Sequence, residues 1–150
     1  MYFCPMLIDT HTHLYVSEFD ADRPDMIKRA LDAGVEQFVL PAIDSQTTAV
    51  MHSLKHDYPN NIHLMMGLHP THVGDNLEEE LVHVQQQLAT HSFVAVGEIG
   101  MDLYWDNSLS ASRLVFEQPF SSVVAVPLKQ SLPFNLKLSL SLSALLNNFA

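Results

Sequence analysis

MLIDTHTHL, residues 6–14, joins a short apolar run to an aspartate and two histidines spaced two apart. Successive side chains of a β-strand point to opposite faces, so Asp9, His11 and His13 are expected to project together from the end of a short buried strand. Neutral imidazole nitrogen is a good ligand for zinc and related divalent ions, and a neighbouring carboxylate would orient a ring or add a ligand. The pattern predicts half of a metal site. The alternative is a pair of partly buried histidines hydrogen-bonded to backbone.

Strands and helices are expected to alternate along the first hundred residues. Apolar runs predict strands over 6–10, 37–43, 62–67 and 93–98, and helical spacing predicts helices over 23–33, 46–57 and 77–90, with caps at Asp22, Ser45 and Asn76. The strands are apolar throughout, which is typical of parallel strands covered on both faces. The series therefore predicts an α/β fold, either doubly wound or part of a (β/α)8 barrel.

Polar side chains stand at the predicted carboxyl ends of all four strands, where both folds place their functional groups. They are His11 and His13, then Asp44, His69 and Glu98. Glycines on both sides of Glu98 allow backbone or ligand to come close. Its carboxylate is expected to face the two histidines across neighbouring strands, where it can bridge two metal ions and hold a hydroxide between them. The alternative is a buried glutamate satisfied by backbone or by a lysine.

His69 lies in the segment Gly67-Leu68-His69-Pro70, and the proline fixes the turn so that the imidazole is aimed. Such a histidine can bind a phosphate oxygen or protonate a leaving group. The alternative role is to close the loop between strand and helix. The remaining helical histidines are expected to be surface or packing residues, and the acidic run 78–80 is expected to be a solvated first turn of a helix.

The overall composition limits the classes of function. A net charge of −10 argues against binding nucleic acid through a broad basic surface, although metal cations could supply positive charge in a small site. Cys4 is the single cysteine, which excludes an intramolecular disulfide and favours a reducing compartment. The first residues lack a signal-peptide pattern, and no apolar run approaches the length of a membrane span. A cytoplasmic protein without membrane contact is expected.

The composition changes after residue 107. Residues 108–150 contain no aspartate, histidine or glycine, and residues 136–143 alternate leucine with lysine or serine. The bias toward serine, leucine and phenylalanine resembles a coding sequence read out of frame. We therefore expect the alternating strands and helices to form one unit over residues 1–106, followed by a divergent, frameshifted tail over 107–150.

Three motifs together resemble the TatD family of metal-dependent hydrolases and deoxyribonucleases, which have the amidohydrolase type of barrel. They are Ile8-Asp9-Thr10-His11-Thr12-His13-Leu14, Gly67-Leu68-His69-Pro70 and Gly97-Glu98-Ile99-Gly100-Met101-Asp102-Leu103-Tyr104-Trp105-Asp106. The resemblance implies that His11 and His13 bind one divalent ion, that Glu98 is a catalytic residue that bridges to a second ion, and that His69 binds substrate near the phosphate. The implied ions are Mg, Mn or Zn. The implied activity is hydrolysis of DNA phosphodiester bonds from a 3′ end.

The family pattern continues with two histidines and an aspartate on later strands, whereas this sequence has no histidine after His91 and no aspartate after Asp106. A (β/α)8 barrel takes about 250 residues. We therefore expect the N-terminal half of a TIM-type barrel with one well-formed metal site at most, and impaired nuclease activity. The alternative is a non-catalytic half-barrel fragment or interaction module that binds a divalent metal weakly. Its fourth strand would be an unpaired sheet edge, which would permit a homodimer.

Overall fold

The computed structural model describes residues 6–99, and four parallel strands alternate there with helices. The elements are β1 (Leu7–Asp9), α1 (Arg23–Asp32), β2 (Val35–Leu40), α2 (Thr48–Asp57), β3 (Ile62–Met66), α3 (Leu77–Thr90) and β4 (Ala95–Val96). Two short 3-10 turns lie at Ser17–Phe19 and Pro70–His72.

The strands lie side by side in chain order, β1-β2-β3-β4, and every neighbouring pair is parallel. A doubly wound sheet reverses its strand order at a switch point, whereas a (β/α)8 barrel adds its strands in sequence. The observed order confirms the α/β prediction and is that of the first half of a TIM-type barrel. The predicted tail over 107–150, like residues 100–106 of the third motif, lies outside the described residues.

The core lies between the sheet and the helices. Ile27 of α1 and Met51 of α2 are fully buried against Leu40, Ile62 and Met66 of the strands. Burying an aliphatic side chain of this size contributes roughly 1.5–3 kcal/mol. The apolar spacing of the helices is thereby explained, since each helix presents one face to the sheet.

The loop between β2 and α2 differs from the prediction. The helix begins at Thr48 rather than at residue 46, and Ser45 does not cap it. Asp44 instead accepts a hydrogen bond from the backbone N–H of Thr47 at 3.1 Å. The side chains of Asp22 and Asn76 stand at the predicted helix starts but make no capping hydrogen bond.

Glu80 explains why Ser45 is not a cap. Its carboxylate accepts hydrogen bonds from the Ser45 backbone N–H at 2.8 Å and hydroxyl at 2.7 Å, and from the Asn76 amide at 3.3 Å. Glu80 is buried, so the expected solvated first turn is correct for Glu78 and Glu79 but wrong for Glu80. A buried carboxylate is stable here because three donors satisfy it.

Strand β1 is less buried than the sequence predicted. Leu7 and Ile8 are 48% and 45% exposed. Within residues 6–99, β1 pairs with β2 alone and therefore forms an edge of the sheet. The prediction of a buried first strand is wrong because it assumed cover on both faces.

Across the described range of 6–99, no helix combines the length and the apolar character that a bilayer crossing requires.

Replacing Glu80 by glutamine should destabilise the protein by about 1–3 kcal/mol, since an amide cannot accept from all three donors and sets its own N–H2 against one of them. Urea unfolding followed by circular dichroism measures the free energy of unfolding. Glu79→Gln is the matched control, because Glu79 is exposed on the same helix turn. Equal effects of the two substitutions would show that the buried carboxylate does not hold the loop.

Candidate metal centre

The two histidines lie in the loop that follows β1 rather than on the strand. The strand ends at Asp9, and its carboxylate accepts a hydrogen bond from the backbone N–H of His11 at 3.2 Å. The aspartate therefore supports the loop backbone. The expectation that it would orient an imidazole or add a ligand is wrong, since its carboxylate bonds the backbone and it does not belong to the group of converging ligand atoms.

His11, His13 and Glu98 converge on one point. Their closest atoms form a nearly equilateral triangle: His11 Nε2 to His13 Nε2 is 3.3 Å, His11 Nε2 to Glu98 Oε2 is 3.3 Å, and His13 Nε2 to Glu98 Oε2 is 3.5 Å. Among residues 6–99, these three form the group of histidine, cysteine and acidic side chains close enough to share an ion. The structure thus brings together the three predicted ligands.

Glu98 Oε2 is buried and, within the described part of the chain, has no hydrogen-bond partner. The two imidazole nitrogens lie near it but are not aligned to donate to it. Leaving a buried carboxylate oxygen unpaired costs free energy, so such an atom calls for a positive partner. A cation between the three ligand atoms would satisfy it.

The donor set fits a divalent ion in size as well as in chemistry. A tetrahedral zinc ion with ligand bonds of about 2.0–2.1 Å separates its ligand atoms by about 3.3–3.4 Å. The triangle has edges of 3.3, 3.3 and 3.5 Å. Two imidazoles and one carboxylate leave a fourth position of the tetrahedron open, as in catalytic rather than structural sites.

Curvature of the sheet brings β1 and β4 together. The prediction that Glu98 faces the histidines across neighbouring strands is wrong, because β1 and β4 stand at opposite ends of the strand order. The end of β2 joins them: Val39 O accepts from Thr12 N, and Ala42 exchanges backbone hydrogen bonds with Gly97 and Glu98.

A close backbone contact fixes the position of Glu98. A Cβ atom at Gly67 would lie 2.5 Å from the carbonyl oxygen of Glu98 and 2.9 Å from its nitrogen. Since real Cβ atoms do not approach backbone so closely, only glycine allows the end of β3 to pack against the end of β4.

His69 also meets Glu98. Its Nδ1 accepts a hydrogen bond from the Thr71 backbone N–H at 3.1 Å and lies 2.7 Å from the Thr71 hydroxyl. A neutral imidazole that accepts at Nδ1 carries its hydrogen on Nε2. His69 Nε2 lies 3.2 Å from Glu98 Oε1, the carboxylate oxygen that does not face the other two histidines.

His13 has a partner that the sequence analysis missed. Its Nδ1 lies 2.8 Å from the hydroxyl of Tyr15, which donates to the carbonyl of Pro41. Burial lowers the pKa of His13 from its ordinary value of 6.5, and the charge of Glu98 opposes this effect in part. Burial also raises the pKa of Tyr15. Tyr15 continues the two-residue spacing of 9, 11 and 13, which was the available signal.

The other candidates have local roles. The second carboxylate oxygen of Asp44 lies 3.8 Å from His72 Nε2, outside the group of three ligands. His52, His63 and His83 make hydrogen bonds with side chains of neighbouring elements. These contacts agree with the expected packing role of the remaining histidines.

Comparisons with known proteins identify the family to which the chain belongs. The profile of the family described as TatD related DNase matches residues 8–136. The protein named uncharacterized metal-dependent hydrolase YabD, from Bacillus subtilis, is 31% identical over 128 residues, which are 85% of this chain and 49% of YabD. The protein named 3'-5' ssDNA/RNA exonuclease TatD, from Yersinia pseudotuberculosis, is 28% identical over 130 residues, which are 85% of this chain and 48% of that protein.

The solved structure of YjjV, a TatD homologue from Escherichia coli K12, superposes with a TM-score of 0.62 at 34% identity and covers 68% of this chain and 40% of YjjV. The match confirms the predicted half-barrel. The chain spans about half the length of the curated relatives YabD and Yersinia TatD. The division at residue 106 stays a prediction, and the family profile extends beyond it to residue 136.

The resemblance that the three motifs predicted is thereby confirmed. Since the family profile matches well over half of the sequence, the chain belongs to the family of TatD related DNases.

Proposed function

We propose that His11, His13 and Glu98 bind a divalent ion and that this centre hydrolyses phosphodiester bonds of DNA. The observation that carries the proposal is the triangle of ligand atoms around the unpartnered Glu98 Oε2. The exonuclease name of the Yersinia relative supports a nucleic-acid substrate. Of Mg, Mn and Zn, the pair of imidazoles favours zinc, whereas magnesium prefers oxygen ligands.

A divalent ion held at this centre would polarise a phosphate and lower the pKa of a water molecule beside it. Glu98 is the proposed catalytic residue because its two oxygens serve two purposes. Oε2 lies between the two histidines, where the ion would bind, while Oε1 lies 3.2 Å from His69 Nε2. A second ion would need ligands beyond these three, so we propose one well-formed site on this chain.

His69 is the proposed substrate-binding residue. Because the Thr71 backbone N–H donates to Nδ1 of His69, the imidazole hydrogen lies on Nε2, at the edge of the metal centre. A fixed N–H donor beside an ion position can bind a non-bridging phosphate oxygen, and it stabilises charge best if it is oriented before the substrate arrives. The site can therefore attract a polyanion in a protein of net charge −10, because the positive potential comes from the ion.

Three finer parts complete the proposal. The family resemblance suggests attack from the 3′ end, and the single cysteine suggests a cytoplasmic location. We propose impaired activity because the sequence lacks the later histidines and the later aspartate that the family pattern contains.

Isothermal titration with zinc should show one site in the protein, and His13→Asn should weaken the affinity by more than about 100-fold, since a lost ligand costs at least as much as a lost supporting residue. His56→Asn is the control because His56 is largely exposed and, among the described residues, its side chain hydrogen-bonds to Asp57 and not to a ligand of the centre. Equal affinities of both variants would rule out this centre.

A 3′-labelled single-stranded DNA should be shortened slowly from its labelled end when zinc, manganese or magnesium is present. We expect a rate roughly 10²–10⁴-fold below that of the Yersinia relative, because a missing general acid or base costs about that factor. His11→Ala should abolish this hydrolysis and His69→Gln should raise KM more than it lowers kcat. Hydrolysis that survives His11→Ala would contradict the proposed centre, and a rate equal to that of the relative would contradict the impairment.

A second candidate function is an interaction module without catalysis, and the exposed edge strand β1 favours it. An unpaired strand edge with exposed leucine and isoleucine is a template for pairing with another chain. In this case the chain would form a homodimer through β1 and bind metal only weakly.

Light scattering coupled to size-exclusion chromatography tests this second candidate. A discrete dimer that Leu7→Lys converts to a monomer would support pairing through β1, because a lysine on an edge strand opposes pairing. Val82→Lys is the matched control, since Val82 is 50% exposed on α3 and Leu7 is 48% exposed. A monomeric wild-type protein, or a dimer that Leu7→Lys leaves intact, would contradict this candidate.

A further inference from the structure

We propose that Tyr15 is a positioning residue for the metal centre: it holds His13 in the tautomer whose Nε2 lone pair faces His11 and Glu98. The inference rests on the proposed function in one respect, namely that His13 is a metal ligand. It concerns a residue outside the three family motifs, so the family resemblance does not assign it.

The first step is to determine which atoms of Tyr15 and His13 carry the hydrogens. The tyrosine hydroxyl has one hydrogen, and the carbonyl of Pro41 can only accept. The hydroxyl donates to that carbonyl, so its oxygen is left to accept from His13 Nδ1, 2.8 Å away. A neutral imidazole carries one hydrogen. With that hydrogen on Nδ1, the lone pair of His13 lies on Nε2, which is the atom that belongs to the ligand triangle.

The second step is the rigidity of this contact. The Tyr15 side chain is 3% exposed, and its ring meets the His13 ring edge-on, with centroids 5.6 Å apart and an interplanar angle of 85°. Arg23 donates to the backbone carbonyls of Leu14, Tyr15 and Val16, which fixes the loop that carries the tyrosine. Hydrogen bonds therefore hold both the backbone and the hydroxyl of Tyr15, which opposes a rotation of the imidazole bonded to it.

The third step is the connection to Glu98. Pro41 precedes Ala42, whose backbone exchanges hydrogen bonds with Gly97 and Glu98. Tyr15 thus ties His13 to the same segment that places the carboxylate. In other metal sites, a partner of this kind on the distal imidazole nitrogen fixes the tautomer and the ring orientation, and its loss lowers metal affinity by about 10–100-fold.

The ring on the other side of Glu98 supports the argument by contrast. The Thr71 backbone N–H donates to His69 Nδ1. The ring hydrogen of neutral His69 therefore lies on Nε2. The two imidazoles that flank the carboxylate hold opposite tautomers because their partners have opposite hydrogen-bonding character. His13 offers a lone pair and His69 offers a donor.

Long-range nitrogen–proton NMR of the metal-free wild-type protein tests the tautomer directly. We expect His13 to carry its hydrogen on Nδ1, with the ring signals assigned through their loss in His13→Asn. A hydrogen on Nε2, or an even mixture of both tautomers, would overturn the proposal. This measurement needs neither a bound metal nor a variant of Tyr15.

Zinc titration of Tyr15→Phe tests the consequence. The affinity should fall by about 10–100-fold while circular dichroism shows a folded protein. Tyr58→Phe is the matched control: it removes the same hydroxyl from a half-buried tyrosine that packs against the core beside α2. An unchanged affinity of Tyr15→Phe, or an equal loss in both variants, would overturn the positioning role.

The outcomes separate the two proposals. Absence of zinc binding by the wild-type protein would refute the metal centre, while the NMR measurement would still decide whether Tyr15 fixes the tautomer of His13. Normal zinc binding with a mobile His13 tautomer would refute the positioning role alone. If Tyr15→Phe does not fold, the wild-type spectrum gives the answer.

Discussion

The backbone of residues 39–43 is the constraint on which the site depends. It leaves the regular ladder of β2 and makes hydrogen bonds in turn to Thr12, Tyr15, Gly97, Glu98 and His69. Three segments carry the functional side chains, namely the ends of β1, β3 and β4, and each is attached to this one short stretch of chain. These bonds bring the ends of the first and fourth strands together. Val39 bonds the loop after β1, and Ala42 bonds the backbone at the end of β4.

Attachment to a common segment fixes the positions of the ligands. It does not supply a positive partner for the carboxylate of Glu98. Two imidazoles and a carboxylate oxygen meet within 3.5 Å, and the carboxylate oxygen has no hydrogen-bond partner among residues 6–99. An ion that binds such a preformed set stabilises the folded state as it binds. Binding and stability are thereby linked in the proposed centre, and the loops that carry its ligands gain most from the ion.

The sequence predicts the order of strands and helices and the residues that meet at their ends, because hydrophobic periodicity and strand-end polarity are local signals. It does not predict the partner of Ser45, since a serine before a helix is ordinarily a cap, and Glu80 competes from 35 residues away. Tyr15 was missed for a similar reason. Its spacing from His13 was a local signal, but its second partner is the carbonyl of Pro41, 26 residues away, and nothing local indicates that contact.

The bare Cα of Gly67 has a consequence for the choice of ion. The Cα of Gly67, which carries no side chain, lies against the Glu98 backbone at the end of β3. The position of the carboxylate relative to the two imidazoles therefore depends on this close contact. A single methyl group at this position would force the Glu98 backbone to move, and the spacing of the ligand triangle would change with it. The size of the cation that would fit the proposed centre therefore depends on a residue that would never touch the ion.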